Sequence, residues 1–583
     1  MTQQRHKRAG IGRRDLLTGA GLAVAAAAMP RATRAAALES ESWDYETDVV
    51  CVGSGAAACG AAVTAVSQGA KVVVVEKMPL LGGTTAKSGG VTWIANNPIL
   101  RAHGVEDRRD DCLRYLARYA YPQSYTPASP TLGLPDLQYR LLEAFYDNGS
   151  RMVEHMQKIG AVKFKEFRLF QVDRPAPDYA DHLPENKVPA GRALEPAVGS
   201  GSSAGGGSLA VHLEEWLRAH DVPLLTEHRV TRVLKDGGRA IGVEAMNGDK
   251  RVRIRARRGV VFGTGGYAHN PELIGLHQTA LYGSCAAPGA TGDFIPIAAE
   301  AGARMGSLHT AWRTQVVLDE ALENRVLGLA AFVLPGDSMI VVNKYGARVV
   351  NEKRDYNDRT MTHFVFDPTR AEYPNHLQYM IFDERSLDAF GGAFPIPLDK
   401  RESRHLIEGA TLDQLAANIG ERLATIAPRT GGEKLAPEFT QAMKASVERF
   451  GEYAEKGRDP EFDRGRHAYD REWHLLFSAR REGTKYPVNA LPNITMHPIA
   501  KTGPYYAFIL AAGALDTNGG PLINEKAQVL AHDGEPIPGL YGAGNCIASP
   551  ARAAYFGAGA TIGLALTFGY IAGMDAAGKQ GQV

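Results

Sequence analysis

The chain has 583 residues, 65 Lys and Arg against 64 Asp and Glu, a formal net charge of +1, and 44% hydrophobic content. That length exceeds one ordinary core and predicts two domains, while near-zero net charge gives no reason to expect nucleic acid or a bulk acidic partner. No run after the N-terminal segment is long and apolar enough to predict a membrane span.

The first 37 residues contain Arg13-Arg14, then a weak Ala/Gly/Leu stretch, then the small residues Ala35, Ala36 and Ala37. That order resembles a twin-arginine signal with its cleavage region, and predicts export to the periplasm or beyond; a disordered basic tail is the plainer alternative. Five cysteines with no CxxC pair argue against a disulfide framework or a haem-attachment site, and no His/Cys spacing suggests zinc.

TDVVCVGSGAAACGAAVTAVSQGAKVVVVEK, residues 47–77, predicts strand, glycine turn, helix, strand. Gly53 and Gly55 turn the chain, and the small residues from Ala56 and Ala57 onward let the helix lie close to the sheet. A dinucleotide diphosphate would sit on the helix N-terminus, and Glu76, followed by Lys77, ends the second strand where an acid can accept from a ribose. The next loop, MPLLGGTTAKSGGVTWIANNP, holds Gly83, Thr84, Thr85, Ser88, Gly89 and Gly90. A Gly-Gly-x-(Ser/Thr) loop directly after that acid is the form that wraps the FAD diphosphate in large flavoproteins, so the cofactor expected is FAD rather than NAD. No histidine stands in this loop, so the FAD is expected to be noncovalent.

Further along, residues 226–245 predict a β-hairpin region in which Val230 faces the adenine. GVVFGTGGY gives a buried strand and a close backbone approach at Gly265. IPGLYGAGNCIAS brings Gly544 and Asn545 back to the cofactor. The cofactor fold is therefore split. The expectation is a signal at 1–37, a first FAD-binding part at 44–310, an inserted catalytic domain at 311–494, and completion of the FAD-binding domain at 495–583.

With these motifs in place, the chain resembles the flavoprotein superfamily that joins fumarate reductases to 3-ketosteroid Δ1-dehydrogenases. The resemblance implies an α/β fold: a Rossmann-like FAD-binding domain interrupted by an inserted α+β capping domain. Three segments favour the steroid branch. In KYGARVVNEKRDYNDRT the tyrosine Tyr356 falls five positions after Asn351, where fumarate reductases place a proton-donating arginine; Arg354 is two positions off that register. AGALDTNGG lacks the histidine that fumarate reductases carry before T-x-G-G, and is similar to the GDLGTxGG of the steroid branch. AYFGAGATIGLALTFGYIAG is similar to TYPGPGATIGPAMTFGYLAG, without its two prolines. Arg552, three residues before Tyr555, is either a solvated arginine or a partner for a substrate carboxylate.

The resemblance implies the chemistry. Tyr356 is the expected base for an α proton, and Tyr179, in a stretch similar to the family's Y-x-D-Y-x-P-E…G-R, is its expected helper. Tyr555 O–H and Gly559 N–H would hold the ketone oxygen, with Thr561 and Ile562 at the helix start beside the flavin. The implied activity is desaturation beside a ring ketone, with electrons passed to a quinone or other non-nicotinamide acceptor. The alternatives are an exported fumarate- or urocanate-type ene reductase, a desaturase of a small cyclic keto acid, and a flavin carrier without turnover. Tyr505 and Tyr506 are expected to pack a strand near the flavin. Residues 385–480 match no family segment and are expected to shape the pocket.

Overall fold

The computed structural model describes residues 42–169, 173–197, 205–477 and 480–578; the Arg13-Arg14 segment lies outside them. The elements used below are β1 Tyr45–Val52, α1 Ala56–Ser67, β2 Val72–Val75, α2 Gly83–Lys87 and β3 Thr92–Trp93. Next come α3 Arg109–Ala120, α4 Gly205–Ala219, β4 Leu224–Leu225, β5 Arg229–Asp236, β6 Arg239–Asn247, β7 Lys250–Phe262 and β8 Thr310–Val317. Then follow β9 Met339–Val342, α5 Tyr356–Met361, β10 Gln378–Asp383, β11 Ile407–Gly409, α6 Ala468–Phe477 and β12 Tyr505–Asn518. The chain closes with β13 Gln528–Leu530, β14 Pro536–Gly542 and α7 Ala560–Ala576.

The first sheet runs β13-β14-β7-β1-β2-β4, parallel from β14 to β4, as continuous Val-rich runs covered on both faces require. β5 and β6 form the expected hairpin, turned by Gly237-Gly238 with φ of +53° and +89°, and lean on β7. On one face α7 crosses α1 almost backbone to backbone. A Cβ at Gly569 would stand 2.4 Å from the Ala57 carbonyl, and one at Gly573 would stand 2.5 Å from the Ala61 carbonyl. This contact explains the Ala/Gly composition of both helices: methyl groups added there would force them apart.

The second sheet is antiparallel, β8-β12-β10-β9 with β11 also on β12, and has its own cores. The structure thus has the α/β architecture expected, with a second α+β unit inserted. The chain's return differs in detail from the expected 494/495 junction. β12, the centre of the second sheet, runs to Asn518, and β13 and β14 then rejoin the first sheet. Tyr505 and Tyr506 are correspondingly not beside the cofactor cleft. They begin β12 against Asp383 and Phe382, and about 3.3 Å per residue puts them roughly 40 Å from the strand's far end.

Candidate active site

The ends of β1, β2, β7 and β14 and the N-terminus of α7 line one cleft. At its base the β1 turn meets the β7 turn. Gly53 has φ +103°, and a Cβ there would lie 2.5 Å from the Gly263 carbonyl, so only glycine fits. Gly55 caps α1 with no side-chain hydrogen bond, leaving the helix entrance open to an anion. The Thr85 hydroxyl accepts from Ala56 N–H at 2.9 Å and ties α2 to that entrance.

Of the residues expected to hold the cofactor, Gly53, Gly55, Ala56, Ala57, Glu76, Lys77, Gly83, Thr84, Thr85, Ser88, Val230, Gly265, Gly544, Asn545, Thr561 and Ile562 all line the cleft. Gly89 and Gly90 do not. A Cβ at Gly90 would stand 2.4 Å from the Gly205 carbonyl carbon, so this glycine lets the loop pass close beside α4. Glu76 accepts from Ser54 Oγ at 2.7 Å and from Met78 N–H at 2.8 Å, which fixes its carboxylate and still leaves lone pairs for a ribose. The Lys77 ammonium is engaged elsewhere, with Thr291 at 2.6 Å and Asp293 at 3.0 Å. Burial opposes ionisation of Asp293, but Lys77 and Arg229 beside it hold its carboxyl below the ordinary value. Two helix entrances, a fixed carboxylate and glycine-lined walls make a donor set that fits a dinucleotide with an acidic diphosphate, and so fits FAD.

Three tyrosines meet next to this cleft. Tyr179 Oη donates to Tyr356 Oη at 2.9 Å. Tyr555 stacks on Tyr179 with centroids 5.1 Å apart and meets Tyr356 edge-on at 5.4 Å. Its hydroxyl lies near those of Tyr356 and Thr561, and Thr561 lines the cleft. All three rings are at most 5% exposed. Burial pushes the Tyr356 phenol well above its ordinary value, and the neighbouring Tyr179 and Tyr555 push the same way. Gly559 starts α7 at φ +83°, with no room for a side chain: its Cβ would stand 2.1 Å from the Val91 carbonyl. Three separate segments therefore bring the three tyrosines to one place, and Gly559 follows Tyr555 on the third.

The wall around them was harder to foresee. Trp312 on β8 packs edge-on against Tyr555 at 5.4 Å and donates Nε1–H to Asn545 at 2.8 Å. Tyr469 and Trp473 on α6 lie 5.2 Å and 5.7 Å from the Tyr179 ring, so the unmatched 385–480 segment does furnish part of the site. Asp516 also lines the cleft. It stands immediately before the T-x-G-G turn Thr517–Gly520.

A buried ionic clamp holds Tyr179. Arg192 binds Asp107 at 2.7 Å and Asp178 at 2.6 Å, and Asp178 also accepts from Trp93 Nε1–H at 2.7 Å. Because Asp178 precedes Tyr179 and Trp93 ends β3, one arginine fixes the tyrosine loop against the cofactor loop. Arg192→Met leaves two buried carboxylates uncompensated and is expected to destabilise the protein by about 3–5 kcal/mol. Thermal denaturation of the holoprotein checks this; a change under 1 kcal/mol contradicts it.

Arg354 does not enter the tyrosine cluster freely. It is held by Asp181 at 2.7 Å and Asp470 at 3.1 Å, over the Tyr469 ring at 4.8 Å. Arg552 is exposed and covers the Tyr121 ring at 5.4 Å. Among the described residues, no helix is long and apolar enough to cross a membrane and no His/Cys/Asp/Glu group is placed to hold a metal ion.

The comparisons with known proteins agree with this geometry. The chain is 31% identical over 591 residues to a 4-oxocyclohexanecarboxylate 2-dehydrogenase of Sinomonas cyclohexanicum, covering 91% of this chain and 93% of that one. It is 31% identical over 617 residues to a 3-oxosteroid 1-dehydrogenase of Mycolicibacterium smegmatis, covering 91% and 97%. The 3-ketosteroid Δ1-dehydrogenase of Sterolibacterium denitrificans, solved with 1,4-androstadiene-3,17-dione, superposes with a TM-score of 0.73 at 27% identity, over 91% of this chain and 99% of that one. Residues 48–562 match the FAD binding domain family, and the chain belongs to it as an FAD-dependent oxidoreductase of CH–CH groups, similar to the 3-oxosteroid 1-dehydrogenases.

Proposed function

We propose that the protein desaturates the C–C bond beside a ring ketone, in the manner of a 3-ketosteroid Δ1-dehydrogenase. One observation carries the reading: the Tyr179–Tyr356 hydroxyl pair at 2.9 Å, with Tyr555 against both rings and six residues before Thr561 of the cleft wall. FAD, when bound, supplies the acceptor for the β hydrogen and its electron pair. Tyr356 takes the α proton. Tyr179 donates to the Tyr356 oxygen and shares the charge that develops there. Tyr555 O–H and Gly559 N–H hold the ketone oxygen as it gains enolate character. The surrounding aromatic side chains exclude water from the three hydroxyls.

A second reading, a cyclic keto acid as substrate, is favoured by the 31% identity to a 4-oxocyclohexanecarboxylate dehydrogenase. One panel tests both: dye reduction by the mature protein with a saturated 3-ketosteroid, with 4-oxocyclohexanecarboxylate, and with NADH alone. Ketone-dependent reduction is expected and NADH-dependent reduction is not. Viologen-linked reduction of fumarate or urocanate, without any ketone-dependent signal, overturns the proposal. A quinone or similar carrier is the proposed physiological acceptor, and the Arg13-Arg14 segment is proposed to export the folded, loaded protein.

The FAD is proposed to be noncovalent. His228 lines the cleft but lies at the Glu76 end, where its N–H donates to the Glu76 carbonyl at 2.9 Å. Acid precipitation is expected to release all the yellow colour, and flavin retained in the pellet contradicts this.

A further inference from the structure

Asp516 carries a carboxyl for which the ketone chemistry above has no use. It lies two residues before the end of β12, is 1% exposed, and lines the cofactor cleft. Its Oδ2 accepts from Gly266 N–H at 2.9 Å and Asn545 Nδ2–H at 3.0 Å, and its Oδ1 accepts from Thr517 N–H at 2.9 Å. All three donors are neutral.

The charged and titratable groups on the elements packed around it are occupied. On β8, Trp312 pairs with Asp516 in register, and the guanidinium of the adjacent Arg313 is bound to Gln278 and the Ala280 carbonyl, over the Phe364 ring. Tyr267, following the Gly265-Gly266 turn, donates its hydroxyl to the Leu308 carbonyl. Cys546, after Asn545, has a thiol pushed up to about 11 by burial. Tyr555 packs edge-on against the Trp312 ring at 5.4 Å. Asp516 differs from all of these: burial drives its carboxyl up to about 6, with Asn545 and the backbone N–H groups holding it back from rising further. Of this set it is the group whose charge changes near neutral pH.

A cofactor that accepts two electrons in this cleft gains negative charge in a poorly screened space. A carboxylate on the cleft wall is then disfavoured, and the protonated form becomes preferred. We propose that Asp516 is a proton-coupled redox-tuning residue: its carboxylate takes one proton from solvent when the bound cofactor accepts two electrons, and returns it on reoxidation. The balance is one proton in and one O–H bond formed per reduction, reversed per oxidation, beyond whatever proton the cofactor itself takes. Above the oxidised-state titration near pH 6 the ionised carboxylate makes the cofactor harder to reduce, so Asp516→Asn raises the midpoint potential there. Well below pH 6 the acid is protonated in both redox states and the two proteins converge.

The test uses holoenzyme reduced anaerobically with dithionite, so it does not depend on the ketone reading. Oxidised-minus-reduced infrared spectra of the wild type at pH 7 are expected to lose a carboxylate band and gain a protonated-carboxyl C=O band. Asp516→Asn should lack that conversion. Potentiometric titration across pH should show the wild type taking up as much as one proton more per two electrons than Asp516→Asn, in a window opening near pH 6. If the amide variant does not hold flavin, Asp516→Gly removes the carboxyl without setting an amide N–H against the three donors. A wild type with no carboxyl conversion, or a variant with the same conversion and the same proton uptake, overturns the proposal.

Discussion

Tyr356→Phe is expected to abolish turnover while the protein keeps its fold and its flavin. The substitution removes one hydroxyl from a ring that is 5% exposed and keeps its edge-on contacts with Tyr179, Phe332 and Tyr555. The folding cost is therefore that of one neutral hydrogen bond, about 1 kcal/mol, with the Tyr179 hydroxyl left short of a partner. The catalytic cost is larger, because a positioned base contributes roughly 10²–10⁴ in rate and no other described group shares its place. Substrate should still perturb the flavin spectrum of the variant on binding. Deuterium exchange at the substrate α carbon, followed without an electron acceptor, is the sharper measurement. Exchange at the wild-type rate in Tyr356→Phe removes Tyr356 from the role of base.

The same residue sets the wild-type pH profile. Its phenol is raised by burial first and by its tyrosine neighbours next. A base must be unprotonated to act, so a raised value means that activity is gained as pH rises. The expectation is that kcat/KM climbs through the alkaline range, without a plateau below the ordinary tyrosine value of about 10. A plateau reached near neutrality contradicts an unaided Tyr356 and requires a cation that approaches it only with substrate bound.

How much of this was legible in the sequence depends on distance along the chain. The cofactor cleft is built from strand ends and the turns that follow them, so each contributor announces itself within about ten residues: Gly53 before α1, Glu76 after β2, Gly544 after β14. The hairpin of β5 and β6 was legible for the same reason. Gly89 and Gly90 lie off the cleft wall, and a glycine that lets two backbones pass, as Gly90 does, reads the same in sequence as one that admits a ligand. The tyrosines are different. Nothing local in PDYAD, NEKRDY or AYFGAG brings Tyr179, Tyr356 and Tyr555 together; only the resemblance to a family did. Asp516, Trp312 and the Arg192 clamp escaped because each has a partner more than 80 residues away: Gly266, Asn545 and Asp107. The apolar run of β12 was legible as a strand, but period-two patterning does not say which sheet a doubly buried strand joins.

Tyr555→Phe is expected to lower kcat/KM by roughly two to three orders of magnitude, the cost of one lost oxyanion donor. The ring is 3% exposed and held between Tyr179 and Trp312, so phenylalanine fills the same space. Tyr555 is not among the residues that line the cleft, so flavin content should barely change. Because the ketone already accepts this bond before reaction, part of the loss should appear as weaker binding and part as slower turnover. The backbone donor cannot be removed so cleanly. Gly559→Ala would bring a Cβ to 2.1 Å from the Val91 carbonyl at φ +83°, displacing the start of α7, so its failure would report on the helix rather than on the N–H. Tyr555 is thus the member of the pair that can be judged alone. With substrate α-carbon exchange as the readout, Tyr555→Phe should slow exchange in parallel with turnover, since both pass through the same enolate-like oxygen. A variant that turns over within tenfold of wild type shows that the ketone oxygen is held elsewhere.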